Sequence, residues 1–536
     1  KCWPAWKKAS ADELAQSPLS WNDPMSAVVT DNPRGLADRI VSDMIESISG
    51  GDVTAGTRLP SIRAMAERMG VNRNTVAQAY KELADKGYLE TRYGGGSYAA
   101  HPQPFAIPME EAATLSSGEP PAVARFGEED WELRFARRLG GLLQQSGKPP
   151  LLQPEEGGAI NLFQLRPNTD LFVLEQFRNC LNTVLRRSGK QLLNYGAPAG
   201  YLPLREQIAA RLRSLNIQAD PGQILITSGS QQGIDLLARA FLDLDDGVVV
   251  ESPTYAIALK IFQANGARLI PYTVGREGVS FQPLEGFALQ SSPKLFYAVP
   301  NFQNPTTHSY TAEERQALLR HVYRAGSILI EDAYHTELQA EPRAALAAMD
   351  RSQRVVYLNT FSKTLVPALR VGYLMGPPAV VRRLTELKEM TDLSQSLILQ
   401  AAIAEFLERG HFDAHVATVR RFYQERIAKV SEMLDAALPA EAPFTRPGGG
   451  LFIWVDLPPH VDTEMLYQRL RQKGVLVSPG ALFQPFPGGR NGLRLCVASE
   501  SEERLRKGIE LLGEELKQLL RRPAPTLVER DYQATH

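Results

Sequence analysis

Apolar residues first recur at helical spacing between residues 35 and 48, where Leu36, Ile40, Val41, Met44, Ile45 and Ile48 line one face and Gly50 ends the pattern. Steps of three and four predict an amphipathic helix. Ser61 then stands as an N-cap before a short helix over 62–69 that stops at Gly70. Asn72 caps a third helix, "RNTVAQAYKELADK", with Val76, Ala79, Tyr80 and Leu83 as its buried stripe and Gly87 as its end. Two helices joined by the tight turn "MGVN" form a helix-turn-helix pattern. The following "YLETRYGGGSYA" gives two short extended runs around three glycines, a small hairpin with the shape of a wing.

Periodicity then lapses. From 101 to about 156 the chain is rich in proline, alanine, glycine, glutamate and serine, as in "HPQPFAIP", "SSGEPPA" and "KPPLLQPEEGG", with one amphipathic piece over 131–143. This composition predicts a linker holding a docking helix, and its length separates two domains. Beyond Ile160, the short apolar runs "QILITSG", "GVVVESP", "KLFYAVP", "SILIEDA" and "RVVYLNT" alternate with helical segments. They predict buried strands of a large, mainly parallel α/β/α sheet. The later "GGGLFIWVDLP", "GVLVSPG" and "GLRLCVAS" predict a smaller α+β lobe. The organisation expected is an N-terminal extension (1–34), a winged helix-turn-helix (35–100), a linker (101–158), an α/β domain with its small lobe (159–520) and a polar tail (521–536). Met25 is the first methionine, and the residues before it read as an upstream extension.

Composition narrows the partners. The 536 residues include 59 basic and 60 acidic ones, with 43% hydrophobic and 22% charged overall. This excludes a globally basic nucleic-acid binder and leaves room for a local basic face. Three scattered cysteines, Cys2, Cys180 and Cys496, form no CxxC pair, so neither a disulfide framework nor a metal site is expected, and a reducing cytoplasm fits. No apolar run approaches the roughly 18 residues that span a bilayer, so no membrane association is expected.

Charge is concentrated around the two central helices. Between residues 56 and 81, Arg58, Arg63, Arg68, Arg73 and Lys81 face one acidic residue, Glu67. Arg73, Asn74 and Thr75 open the third helix, where side chains reach base edges. Arg58 and Arg63 suit backbone phosphates, and Gly95 would let a wing backbone approach the minor groove. A three-helix module for protein contact would share this geometry. The stretch "RLPSIRAMAERMGVNRNTVAQAYKELADKGYLETRYGGGSY" resembles, over its whole length, the winged helix-turn-helix of the GntR family of bacterial regulators. The resemblance implies a double-stranded DNA operator as partner.

A second chemistry lies in "NTFSKTLVPALRVGYL", where Lys363 has Thr360 and Ser362 beside it and Arg370 seven positions on. Hydroxyls and a guanidinium suit a phosphate ester. A lone serine-lysine pair is more often solvated surface, and three other stretches change that balance. "TSGSQQGIDLLARAFL" places Ser230 and Gln231 at a helix N-terminus, a natural phosphate site. "VVVESPTYAIALK" places Tyr255 past a strand end, where its ring can stack on a flat heterocycle. "ILIEDAYHTEL" ends a strand with Asp332, followed by Tyr334. A carboxylate keeps a pyridine nitrogen protonated, a phenol bonds the ring's 3-oxygen, and Asn304 in "VPNFQNPTT" offers that oxygen a second donor. Singly, these are a helix cap, a core ring and a turn residue. All of them fall at carboxyl ends of predicted strands, where open α/β sheets bind ligands.

Jointly and in this order, they resemble the fold type I aminotransferases across roughly 160–515. The resemblance implies pyridoxal 5′-phosphate as cofactor. By it, Lys363 matches the internal aldimine lysine and the one catalytic position, Asp332 the pyridinium partner, Asn304 and Tyr334 the 3-oxygen partners, and Tyr255 the stacking ring. Ser230, Gln231, Thr360, Ser362 and Arg370 match the phosphate shell, and Arg494 in "NGLRLCVAS" the arginine for an α-carboxylate. Tyr195 in "NYGAPAGYLPLRE" matches a tyrosine reaching the phosphate from the neighbouring subunit, which implies a homodimer. The whole order of parts is similar to the MocR subfamily of GntR regulators. That implies a cytoplasmic, nucleoid-bound, head-to-tail dimer that senses an amino compound or vitamin B6 through aldimine formation at Lys363 and changes its DNA binding. A second reading stays open. Asn304 is kept as in catalytic aminotransferases, although Thr307 replaces their usual glycine, so a working aminotransferase with an appended DNA-binding module fits the same residues.

Overall fold

The computed structural model describes residues 35–50, 52–92, 96–100, 134, 158–285, 292–341 and 343–521. The extension, the docking helix over 131–143, Gly95 and the tail beyond Arg521 lie outside the described residues. The chain divides into two compact units, Lys1–Glu128 and Glu129–His536.

The first unit packs α1 (Leu36–Ser49), α2 (Ile62–Met69) and α3 (Arg73–Asp85) with a two-stranded antiparallel hairpin, β1 (Leu89–Arg92) and β2 (Gly96–Ala99). The Ser61 hydroxyl accepts the Ala64 N–H, and the Asn72 side chain accepts the Asn74 N–H, so both caps act as their residue types predict. Gly70 takes φ +62, a left-handed turn that an L-residue adopts at a cost. Ile40, Val41, Met44 and Ile48 close against Val76, Ala79, Tyr80 and Leu83. Each such burial is worth about 1.5–3 kcal/mol. Tyr80 keeps its hydroxyl satisfied on the Pro60 carbonyl at 2.9 Å.

The second unit opens with β3 (Ile160–Leu162), α4 (Leu174–Leu192) and α5 (Leu202–Ser214). Then follow β4 (Ile224–Thr227), α6 (Ser230–Phe241), β5 (Gly247–Ser252), α7 (Ala256–Ala264), β6 (Arg268–Val274), β7 (Val279–Ser280), β8 (Leu295–Ala298) and α8 (Ala312–Ala325). The large sheet is completed by β9 (Ile328–Asp332), β10 (Val355–Thr360) and β11 (Gly372–Met375), in the order β4-β11-β10-β9-β8-β5-β6-β7. Strands β5, β6, β8, β9 and β10 run parallel, whereas β11 pairs antiparallel with both β4 and β10. The connection from Thr360 to Gly372 carries only a short 3-10 turn, less than a parallel crossover requires, so the chain doubles back. That reversal puts Lys363 and Arg370 in one tight connection.

After α9 (Pro378–Asp392), α10 (Leu397–Glu408) and the long α11 (His411–Ala437) comes the small lobe, made of β12 (Phe452–Asp456), α12 (Thr463–Gln472), β13 (Val475–Pro479), β14 (Gly492–Cys496) and α13 (Glu502–Leu520). Its sheet runs β12-β14-β13-β3. The strand that begins the unit, β3, is thus its edge, parallel to β13. Among the described residues no helix is long and apolar enough to cross a membrane.

Candidate functional site

The end of β10 builds a hydroxyl-lined turn. The Thr360 hydroxyl donates to Ser362 Oγ at 3.0 Å and accepts the Ser362 N–H at 3.2 Å. The next residue, Lys363, is part-accessible and donates from Nζ to the Leu165 carbonyl at 2.7 Å. Burial lowers its pKa to about 8, with the Arg494 and Arg370 charges acting in the same sense. An amine with such a pKa is a nucleophile near neutrality.

Arg370, at φ +51, donates to the Ser228 carbonyl at 2.9 Å. Gly229 follows at φ +84, and a Cβ there would lie 3.0 Å from Arg370 Nη2, so both conformation and space ask for glycine. Ser228 is tied further, its N–H on Gln232 Oε1 at 2.7 Å and its hydroxyl accepting from Gln395 Nε2. The turn is therefore fixed from three sides, and Ser230 and Gln231 open α6 beside it. Four amides without intrahelical partners make that opening an anion site.

Asp332 ends β9. Its Oδ2 accepts from the Tyr297 hydroxyl at 2.8 Å, and its Oδ1 has no partner among the described residues. Burial raises the carboxyl to about 7. The Tyr334 hydroxyl is likewise buried without a partner. Tyr255, which precedes α7, accepts from Gln231 Nε2 at 3.1 Å, and burial pushes its phenol up to about 12. Arg494 on β14 donates from Nη1 to Asn304 Oδ1 at 3.0 Å and from Nη2 to the Phe163 carbonyl at 2.8 Å and Ser478 Oγ at 3.2 Å. Its Nε is left over, and the guanidinium lies 4.8 Å from the Phe483 ring centroid. Buried polar atoms without partners are costly, and here an acid, a phenol and a guanidinium carry them together.

One residue expected at this site stands apart from the cluster. Tyr195 is 80% exposed in the turn before α5. Arg63 pairs with Glu67 at 3.0 Å on the exposed face of α2. Arg73 and Asn74 are exposed at the start of α3 with Thr75 half-buried, and the Arg58 guanidinium rests against Gly96 of the wing. The pattern of the sequence did not single out Tyr297, although a hydroxyl inside the apolar "LFYAVP" is a visible signal. The carbonyls of Phe163 and Leu165 gave none, since a backbone oxygen is common to every residue. His335 was missed as well. Its ring lies 3.8 Å from that of Tyr334, both nitrogens lack partners among the described residues, and burial holds its pKa well below the usual range.

The sequence of this unit matches the model of aminotransferase class I and II over residues 168–512. The chain belongs to the class I and II aminotransferase family. Residues 36–98 match the gntR family of bacterial regulatory proteins, so this family member carries a DNA-binding-type domain at its front. It is 33% identical over 395 residues to the 2-aminoadipate transaminase of Thermus thermophilus, covering 73% of this chain and 98% of that one. It is 30% identical over 470 residues to the probable rhizopine catabolism regulatory protein MocR of Rhizobium meliloti, covering 87% of this chain and 90% of that one. The second match includes the N-terminal domain, and the order of parts is that of MocR-type regulators. Among solved structures, the α-aminoadipate aminotransferase LysN of Thermus thermophilus, complexed with N-(5′-phosphopyridoxyl)-L-leucine, superposes with TM-score 0.67 at 32% identity, over 73% of this chain and 99% of that one. Pyridoxal phosphate is the cofactor of this family, and the residues present fit it. The free Asp332 oxygen suits a ring N–H, the free Tyr334 hydroxyl a ring oxygen, and the glycine turn before α6 a phosphate.

Proposed function

We propose that this protein is a transcriptional regulator that binds pyridoxal phosphate at Lys363, takes an amino compound or the vitamin itself as signal, and changes its DNA affinity in response. The cofactor supplies an aldehyde carbon that amines attack and a pyridinium ring that draws electrons from it. The chain's own residues do the rest. Lys363 offers an amine that loses its proton more readily than an exposed lysine, Asp332 holds the ring nitrogen protonated, Tyr334 and Asn304 donate to the ring oxygen, and Tyr255 covers a ring face. Ser230, Gln231, Thr360, Ser362 and Arg370 hold the phosphate, and Arg494 pairs with the carboxylate of an amino-acid signal.

One observation carries the regulatory reading. Lys363 and Arg494 are both held by backbone carbonyls, those of Leu165 and Phe163, on the segment that follows the linker directly. Pyridoxal phosphate engages Lys363 and the carboxylate of an amino-acid signal engages Arg494, so binding of the two loosens that segment, and the linker is its covalent continuation toward the DNA-binding unit. An effector shifts an equilibrium only by its differential affinity for the two states, and this loosening is such a difference. The exposed Tyr195 supports a homodimer in which it completes the partner's site. A dimer of this kind would work in the cytoplasm, bound to the nucleoid through Arg73, Asn74 and Thr75 at base edges and Arg58, Arg63 and the wing at the backbone.

The Arg494–Asn304 bond favours a second activity in the same site, slow transamination with Lys363 Nζ moving a proton from the amino compound's Cα. Adding amines one at a time, while following visible absorbance and affinity for DNA selected from a random pool, tests both. The expected result is an amine that changes absorbance and DNA affinity together. Rapid turnover to a keto acid with constant DNA affinity would overturn the regulatory reading.

A further inference from the structure

Glu251 is a carboxylate in the apolar strand β5, fully buried, with no ion pair among the described residues. Burial raises its pKa, yet both oxygens are completely used. Oε1 accepts the Val299 N–H at 2.9 Å and the Tyr310 hydroxyl at 2.8 Å. Oε2 accepts the Thr254 hydroxyl at 2.6 Å and Gln303 Nε2 at 2.9 Å. Gln303 in turn reaches the Pro253 carbonyl at 2.7 Å, and its Oε1 accepts the Thr306 N–H at 3.0 Å and the Thr306 hydroxyl at 2.6 Å.

These donors come from two segments. Thr254 lies in the turn that leads β5 into Tyr255, while Val299, Gln303 and Tyr310 span the loop that carries Asn304. We propose that Glu251 is a positioning residue for the cofactor site: it locks the Asn304 loop to the Tyr255 turn and so sets the place of the 3-oxygen donor relative to the stacking ring. The inference rests on the cofactor reading above. Apolar side chains would fill the same space at lower desolvation cost, whereas only an acceptor with four lone-pair directions gathers four donors from two loops.

The neutral isostere separates this role from simple filling of the core. In Glu251→Gln one oxygen becomes an NH₂ facing two donors. The Val299 N–H cannot accept, so the NH₂ takes the Oε2 side, where Thr254 can turn its hydroxyl but Gln303 must rotate and release Thr306. The cofactor Kd is then expected to rise about tenfold or more. The pH midpoint of the Lys363-dependent visible band is expected to move upward by about half a unit or more, because a displaced Asn304 no longer draws charge onto the ring oxygen. Gln303→Met cuts the same tie while leaving Glu251 three donors, and it must show both changes; it decides the matter if Glu251→Gln does not fold. Wild-type Kd and midpoint in Gln303→Met, whatever its melting temperature, would overturn the proposal. If borohydride fixes no pyridoxal phosphate on the wild-type protein, or fixes it equally on Lys363→Ala, the cofactor reading fails, and that outcome is distinct from this one.

Discussion

Arg494 on the small lobe holds the side-chain oxygen of Asn304 on the large sheet's loop at 3.0 Å, and both side chains are buried. The pair spans two sheets of one unit, and Arg494 Nε is buried without a hydrogen-bond partner among the described residues. Arg494→Gln is expected to weaken amino acids about 10–100-fold, the worth of a charge-assisted pair, in titrations of cofactor absorbance. Amines without a carboxylate should change by about twofold or less, since they make no use of the guanidinium.

The lowered pKa of Lys363 sets a pH dependence. Attachment of pyridoxal phosphate to the cofactor-free protein should accelerate as pH rises toward about 8 and then level off. Exposed lysines would keep accelerating toward about 10.4. Lys363→Ala should abolish the borohydride-reducible linkage altogether, as read by intact mass.

Asp332 predicts a stability slope. Its folded pKa of about 7 lies above the unfolded value of 3.8, so the folded state binds more protons in that window and stability falls as pH rises through it. A shift of this size corresponds to on the order of 4 kcal/mol as an upper bound. Urea titrations of the cofactor-free protein at pH 4 and 7.5, compared with Asp332→Asn, isolate this slope. Buried His335, whose pKa is depressed, contributes oppositely below about 6.5, and the comparison cancels it. Bound cofactor should flatten the Asp332 slope by giving the carboxylate a cationic partner.

For the first unit, Arg73→Ala should cost about 1–3 kcal/mol on selected DNA with melting unchanged, because the side chain is exposed. Arg58→Ala should weaken all sequences alike and reduce the salt slope by about 1. Fluorescence anisotropy at several salt concentrations reads both. Equal affinity of Arg73→Ala for selected and unselected DNA, at the wild-type level, would remove α3 as the reading helix.

How far the sequence could be read follows a physical line. Caps, helical stripes and strand ends are local, and Ser61, Asn72, Asp332 and Lys363 all stand where spacing places them. The antiparallel β11 is less visible, because a short apolar strand looks alike in either direction. Thr307 was legible only as an oddity. Its φ of +63 explains why glycine suits the position, and its hydroxyl, bonded to Thr445 at 2.7 Å, offsets the strain of a branched side chain there. Contacts made through carbonyls, such as Leu165 to Lys363, join residues 198 apart and depend wholly on the closed fold.

The position of β3 bears on how the protein can be divided. The family match begins at residue 168, after β3. A fragment cut there would lose the partner of Val475, Leu476 and Val477, baring a row of unpaired amides on an apolar strand, a template for aggregation. It would also lose the carbonyls that hold Lys363 and Arg494. A fragment cut before Gly158 keeps its own border strand, so proteolysis ahead of that residue should yield a soluble effector-binding half, whereas trimming by about ten further residues should yield a precipitate.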